Sequence, residues 1–241
     1  MDYITAFGII ALAALIHASF QLSVSMVTLL TSHAIGRKDK ASRLLRLVGS
    51  FLFGTIVMTL LSVSFTTFVV SQFNKSTVSP IAWSMVSGLM IGLGVAVWAF
   101  YYRRERAGTS LWIPRGMARF LAERAKATHY SAESFSLGLV SVIAEGIFVI
   151  GPTLATAFTL VYLPVPLQLA GAGLYTLIAS LGIVIVAVLI GSGRSLSRIQ
   201  KWRESNRRFL QFAAGSALVI LGFFIYVNEV VATTVALRGG L

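Results

Sequence analysis

The sequence has no cysteine and very little charge. Of its 241 residues, 12% are Asp, Glu, Lys or Arg and 56% are hydrophobic, whereas soluble domains carry about 25% charged residues. The lack of cysteine excludes disulfides, thiolate metal sites and any thiol relay. Acidic residues are scarcest: 8 Asp and Glu face 20 Lys and Arg, a formal charge of +12. In a soluble protein that excess would point to nucleic acid. Here the cations sit in short stretches between apolar runs, as in the cytoplasmic loops of membrane proteins, so no nucleic-acid partner is expected. Also missing are the strand-type alternation of a membrane barrel, a Gly-x-x-x-x-Gly-Lys loop and a His-Glu-x-x-His pair. No Ser-His-Asp set is readable. Neither enzyme activity nor a cofactor is expected.

What is present is a series of long apolar runs. A membrane helix needs roughly 20 mostly apolar residues, and six stretches qualify: 4–30, 47–70, 81–102, 135–162, 167–190 and 209–228. Backbone inside lipid must satisfy its own hydrogen bonds, so the runs predict an all-α integral membrane protein with six transmembrane helices. Met1, Asp2 and Tyr3 supply no basic n-region, and the first run is longer than an h-region. It is therefore expected to be a mature helix and not a cleaved signal.

Lys and Arg alternate from loop to loop. Five follow the first run, one the second, seven the third, none the fourth and six the fifth, with Arg238 in the tail. The positive-inside rule then places both termini outside and the three basic loops in the cytoplasm. A prokaryotic cytoplasmic membrane is the expected location. Residues 103–133 form the longest loop and separate a first three-helix unit, 1–102, from a second, 134–241. Pro114 can start a short helix there. Met117, Phe120, Leu121 and Ala125 would share one of its faces. Such a helix would lie on anionic headgroups; the alternative is an ordinary solvated linker.

Two units of three helices imply an inverted repeat, because an odd number of spans reverses the second unit. Sliding residues 10–31 over 138–159 places Phe20 on Phe148, Thr28 on Thr156 and Thr31 on Thr159. It also places Ser25 on Thr153, and His17 on Glu145. These last two are the only ionisable residues deep in the runs. Glycines echo one another more loosely in the remaining helices. Gly88 and Gly92, four apart, predict a close helix–helix approach.

His17 falls at the expected bilayer midplane. Gln21, Ser25 and Thr28 follow at i+4, i+8 and i+11, on the same helix face. Glu145 is followed in the same way by Thr153 and Thr156. Gly151 and Pro152 are expected to break that helix, since proline removes a backbone hydrogen bond. A charged side chain at a helix centre costs roughly 2.5–3.5 kcal/mol on insertion scales, so Glu145 must be protonated, paired or wetted. His17 is the candidate partner at matching depth. Together they can carry a proton or bind a cation with hydroxyl help. The bland alternative is a protonated Glu145 that bonds a neighbouring helix, with hydroxyls bonding back to their own carbonyls. His33, His129, Asp2 and Glu229 read as solvated.

Six helices in an inverted three-plus-three, a Gly- or Pro-broken first helix in each half and a glycine-spaced third helix resemble the lysine-exporter superfamily. The pieces that carry the resemblance are 14–31, 138–159 with Gly151 and Pro152, and 87–100. That grouping includes amino-acid exporters, several metal exporters and thiol transporters of cytochrome c biogenesis. The resemblance implies a secondary transporter. The thiol-transporting branch places a cysteine in each of helices 1 and 4, and this chain has neither. The metal branches carry acidic or histidine-rich signatures, for which only Glu145 and His17 could stand in.

The resulting expectation is an exporter of a small solute or cation. Glu145 and His17 would be the coupling pair, and Gln21, Ser25, Thr28, Thr153 and Thr156 would line the path. Any metal is unassigned, and a homo-oligomer is compatible with this reading. The alternative is a non-transporting membrane scaffold or assembly subunit whose basic loops dock a cytosolic partner.

Overall fold

A computed structural model describes residues 1–20, 30, 40–73, 78–101, 115–192 and 205–239. Among these residues the regular structure is entirely helical. In chain order the helices are α1 (Tyr3–Ser19), α2 (Lys40–Phe73), α3 (Pro80–Tyr101), α4 (Arg115–Ala127), α5 (Ser131–Ala144), α6 (Gly146–Val161), α7 (Val165–Ala179), α8 (Leu181–Gly191), α9 (Arg207–Ile225), a π-helical turn (Tyr226–Val231) and α10 (Ala232–Gly239).

Three stretches are long and apolar enough to cross a membrane: Ser42–Phe73, Pro80–Ala99 and Arg208–Val235. The count rises to five if α5 with α6, and α7 with α8, each form one bent span. The long helices bury only part of their surface. Phe53, Phe65 and Phe68 on α2 are exposed, as are Ile220 and Phe223 on α9. Water would not tolerate so much continuous apolar surface, and lipid does. These are the helices of an integral membrane protein.

Helix α1 is different. Asp2 caps it by accepting the Thr5 backbone N–H at 2.7 Å. Apolar on every side, it sits inside the bundle against α6, α7 and α9, with Ala6, Ile9, Ile10, Ala13, Ala14 and Ile16 buried. The regular helix closes at Ser19, and the Phe20 N–H bonds the His17 carbonyl at 3.1 Å. The rest of the first apolar run, up to residue 29, lies outside the described residues.

The fourth run bends by 77°, and the bend is at Glu145, not at Gly151 and Pro152. Pro152 lies inside the unbroken α6. The hydrogen-bond ladder is disturbed where the Glu145 N–H is shared between the Ser141 and Val142 carbonyls, each at 3.2 Å, and it restarts with Phe148 and Val149 on the Glu145 carbonyl. One turn earlier the Ser141 hydroxyl bonds back to the Gly138 carbonyl, a contact that loosens and bends helices. The fifth run also bends, by 50° at Ser180.

Helices α2 and α5 approach at Gly54 and Gly138, where a methyl group on either would collide with the other's backbone at Phe135 or Phe51. Helices α3 and α9 approach at Gly94 and Gly215 and again at Gly222, where an added Cβ would stand 3.1 Å from the Ser87 carbonyl. Gly88 and Gly92 do not serve this purpose: both are exposed, and a Cβ on either meets nothing within 4 Å. α3 turns its other face, with Ser87 and Gly94, toward α9. The expected helix within 103–133 exists as α4, whose Leu121 and Ala125 are buried while Phe120 is exposed. Arg43 reaches across from α2 to donate to the His129 carbonyl at 3.3 Å.

Candidate transport site

His17 and Glu145 meet inside the bundle. His17 is in the last turn of α1 and Glu145 is the hinge between α5 and α6. Their exposures are 4% and 1%, and His17 Nε2 lies 3.8 Å from Glu145 Oε2. That separation suits an ion pair and exceeds a hydrogen bond. Directly beside it, Phe20 stacks on Phe148 with ring centroids 5.3 Å apart.

The other face of the imidazole has a partner in α7. His17 Nδ1 and the Tyr175 hydroxyl are 2.8 Å apart. With the Nε2 proton directed at Glu145, Nδ1 is the acceptor and Tyr175 the donor, an assignment made from the hydrogen-bond network. Tyr175 is fully buried, and its oxygen lies 3.4 Å from Thr153 Oγ1. The result is one polar chain, Thr153–Tyr175–His17–Glu145, drawn from α6, α7, α1 and the hinge between α5 and α6. Gly171, one turn before Tyr175, lets α7 approach: a Cβ there would stand 2.6 Å from Leu160 of α6 and 3.0 Å from Ile10 of α1.

A cavity of about 380 Å³ adjoins this chain. Its polar wall is made by His17, Tyr175 and Thr153 with Thr59, Ser62 and Thr66 of α2. Thr156 does not line it. That hydroxyl is fully buried and has no hydrogen-bond partner among the described residues. Gln21, Ser25 and Thr28 lie outside the described residues. Gly151 packs against Met90 of α3. Among the described residues no three His, Asp or Glu side chains gather as a metal site.

Tyr175, Thr59, Ser62 and Thr66 are the site residues that sequence reasoning passed over. A signal was there for the α2 set, because Thr59, Ser62 and Thr66 fall at i, i+3 and i+7 on one helix face. Tyr175 offered none, as a single tyrosine in an apolar run reads as packing.

Comparison with family models, with curated proteins and with solved structures finds no match to this chain.

Proposed function

We propose that the protein is a secondary transporter, an exporter of a small solute or cation, working by alternating access around the His17–Glu145 pair. The observation that carries this reading is the pair itself. Two ionisable side chains are buried together, one of them at the 77° bend of the fourth run, beside a hydroxyl-lined cavity. Ionisable groups at that depth are costly, and where they occur they mark ion and substrate paths. Broken helices are the usual location of a transporter's site. The bends at Glu145 and Ser180 would act as the hinges.

An inverted three-plus-three repeat is part of the proposal. His17 and Glu145 are 128 positions apart, as are Phe20 and Phe148, and the members of each couple touch. The same offset relates Ser87 to Gly215 and Gly94 to Gly222. The close approach of Gly94 to Gly215 therefore has a counterpart in that of Gly222 to Ser87. Contacts between equivalent residues, and contacts in reciprocal couples, are what a two-fold axis between the units generates. With α1 as the first span, the repeat supports six spans, both termini on one side and the lysine-exporter resemblance; the charge of the loops makes that side the outside.

The test is export itself. Cells expressing the wild-type chain or Glu145→Gln at equal membrane abundance are grown in parallel, and solutes in the medium are compared by mass spectrometry. The wild type is expected to raise at least one solute that Glu145→Gln does not, since glutamine keeps shape and hydrogen bonding but not charge. Equal solute profiles would remove the transport reading and leave the scaffold.

A further inference from the structure

The wall of the cavity constrains what can occupy it. No Lys, Arg, Asp or Glu lines it among the described residues. Glu145 faces His17 and is not part of the wall. An anion would find no cationic side chain there, and a cation would find no carboxylate on the surface it touches. A full charge brought to this depth without a partner is strongly disfavoured. The volume, about 380 Å³, falls in the ~300–1,000 Å³ range of small-molecule sites.

The polar groups that do line it are hydroxyls and one imidazole. Two have already committed their protons. Thr66 donates to the Ser62 carbonyl at 2.7 Å, and Tyr175, with His17 in the Nε2–H tautomer assigned above, to Nδ1 at 2.8 Å. Every hydroxyl keeps an oxygen lone pair for an occupant's donor, and Thr59 and Ser62 can also donate, so the wall suits an occupant carrying a hydroxyl or amide group. The rest of the wall is aliphatic, and Ile143 and Ile150, both substantially exposed, border it.

We propose that this cavity binds a small uncharged solute carrying a hydroxyl or amide donor on an apolar body, and that Tyr175 transmits its occupancy to His17. The inference rests on the transport reading for its purpose but not for its test. An occupant that donates to Tyr175 polarises the phenol O–H and strengthens its bond to Nδ1. That reinforces the Nε2–H tautomer, whose proton is directed at Glu145. Tyr175 is thus a specificity residue with respect to the solute and a positioning residue with respect to the buried pair. No covalent bond changes.

The chain has three histidines, His17, His33 and His129, so histidine-selective ¹⁵N labelling gives a spectrum simple enough to assign with a His17→Gln control. The protein is placed in lipid nanodiscs and titrated with benzyl alcohol, benzoate and benzylammonium, three probes of similar size and different charge. Benzyl alcohol is expected to shift the His17 ring signals saturably and leave exposed His129 unchanged. The two charged probes should bind about tenfold more weakly or worse. Tyr175→Phe should move the His17 signals before any probe is added and weaken benzyl alcohol about three- to tenfold, the range of one lost hydrogen bond. A His17 signal insensitive to benzyl alcohol, or equally sensitive to a charged probe, would overturn the solute class. A Tyr175→Phe spectrum identical to wild type would overturn the role of Tyr175. Either result is independent of export: loss of export in Glu145→Gln with no probe binding would retain the transporter and discard this site. Probe binding without export would do the reverse.

Discussion

At the residue scale, the unusual feature is a histidine with two different partners. Glu145 approaches one ring nitrogen and Tyr175 the other. The imidazole is therefore fixed in orientation, as a group that passes protons needs to be. If His17 and Glu145 act as one unit, their substitutions should not add. His17→Ala is expected to reduce export in the solute-profile assay, and His17→Ala with Glu145→Gln to be little worse than Glu145→Gln alone. A double variant that lost the product of the two single effects would mean the residues work separately. Their chemistry was readable from sequence because they are the only ionisable side chains deep in the apolar runs. Their meeting was only weakly signalled, by one coincidence in a repeat with three identities in 22 positions.

At the element scale, glycines decide which helices can touch. Gly54 and Gly138 place backbone against backbone, with no flexible side chain to yield. Gly138→Ala is expected to destabilise by about 1–3 kcal/mol, as overpacking does, and Gly54→Ala similarly. Gly88→Ala, where a methyl group meets nothing within 4 Å, should stay within about 0.5 kcal/mol of wild type. Thermal denaturation in one detergent checks all three, and an inverted order would mean that α3 packs through its other face. The spacing of Gly88 and Gly92 could not foretell this. A small-residue pair marks where a helix can be approached, not whether another helix is there. The bend behaves in the same way: Pro152 removes a hydrogen bond, yet α6 absorbs the loss and the chain turns at Glu145 instead.

At the scale of the whole molecule, the proposal commits to sidedness, and the cysteine-free sequence makes the test clean. Tyr130 between α4 and α5 and Val165 at the start of α7 are both well exposed. In intact cells, Val165→Cys is expected to react with a membrane-impermeant maleimide. Tyr130→Cys should react only after the membrane is opened. The reverse pattern would invert the topology, and labelling of both from outside would break the span count. The alternation of basic and non-basic loops motivates this expectation.

The sequence by itself determined the helical, membrane-embedded class, the sorting of charge between loops and the identity of the ionisable residues deep in the apolar runs. Each of these is local: run length, composition and loop charge can be read along the chain without knowing what packs on what. Only the tertiary structure decided that Tyr175 joins His17, that α2 supplies half of the polar wall, and that Gly94 and Gly215, not Gly88 and Gly92, form the α3–α9 contact. The physical reason lies in helices such as α1, which are apolar on every face. In a soluble protein the polar side of a helix reveals which side is buried. Inside lipid both sides are apolar, so periodicity carries no facing information. The rotation of each helix is then set by shape and by a few polar contacts between residues far apart in sequence.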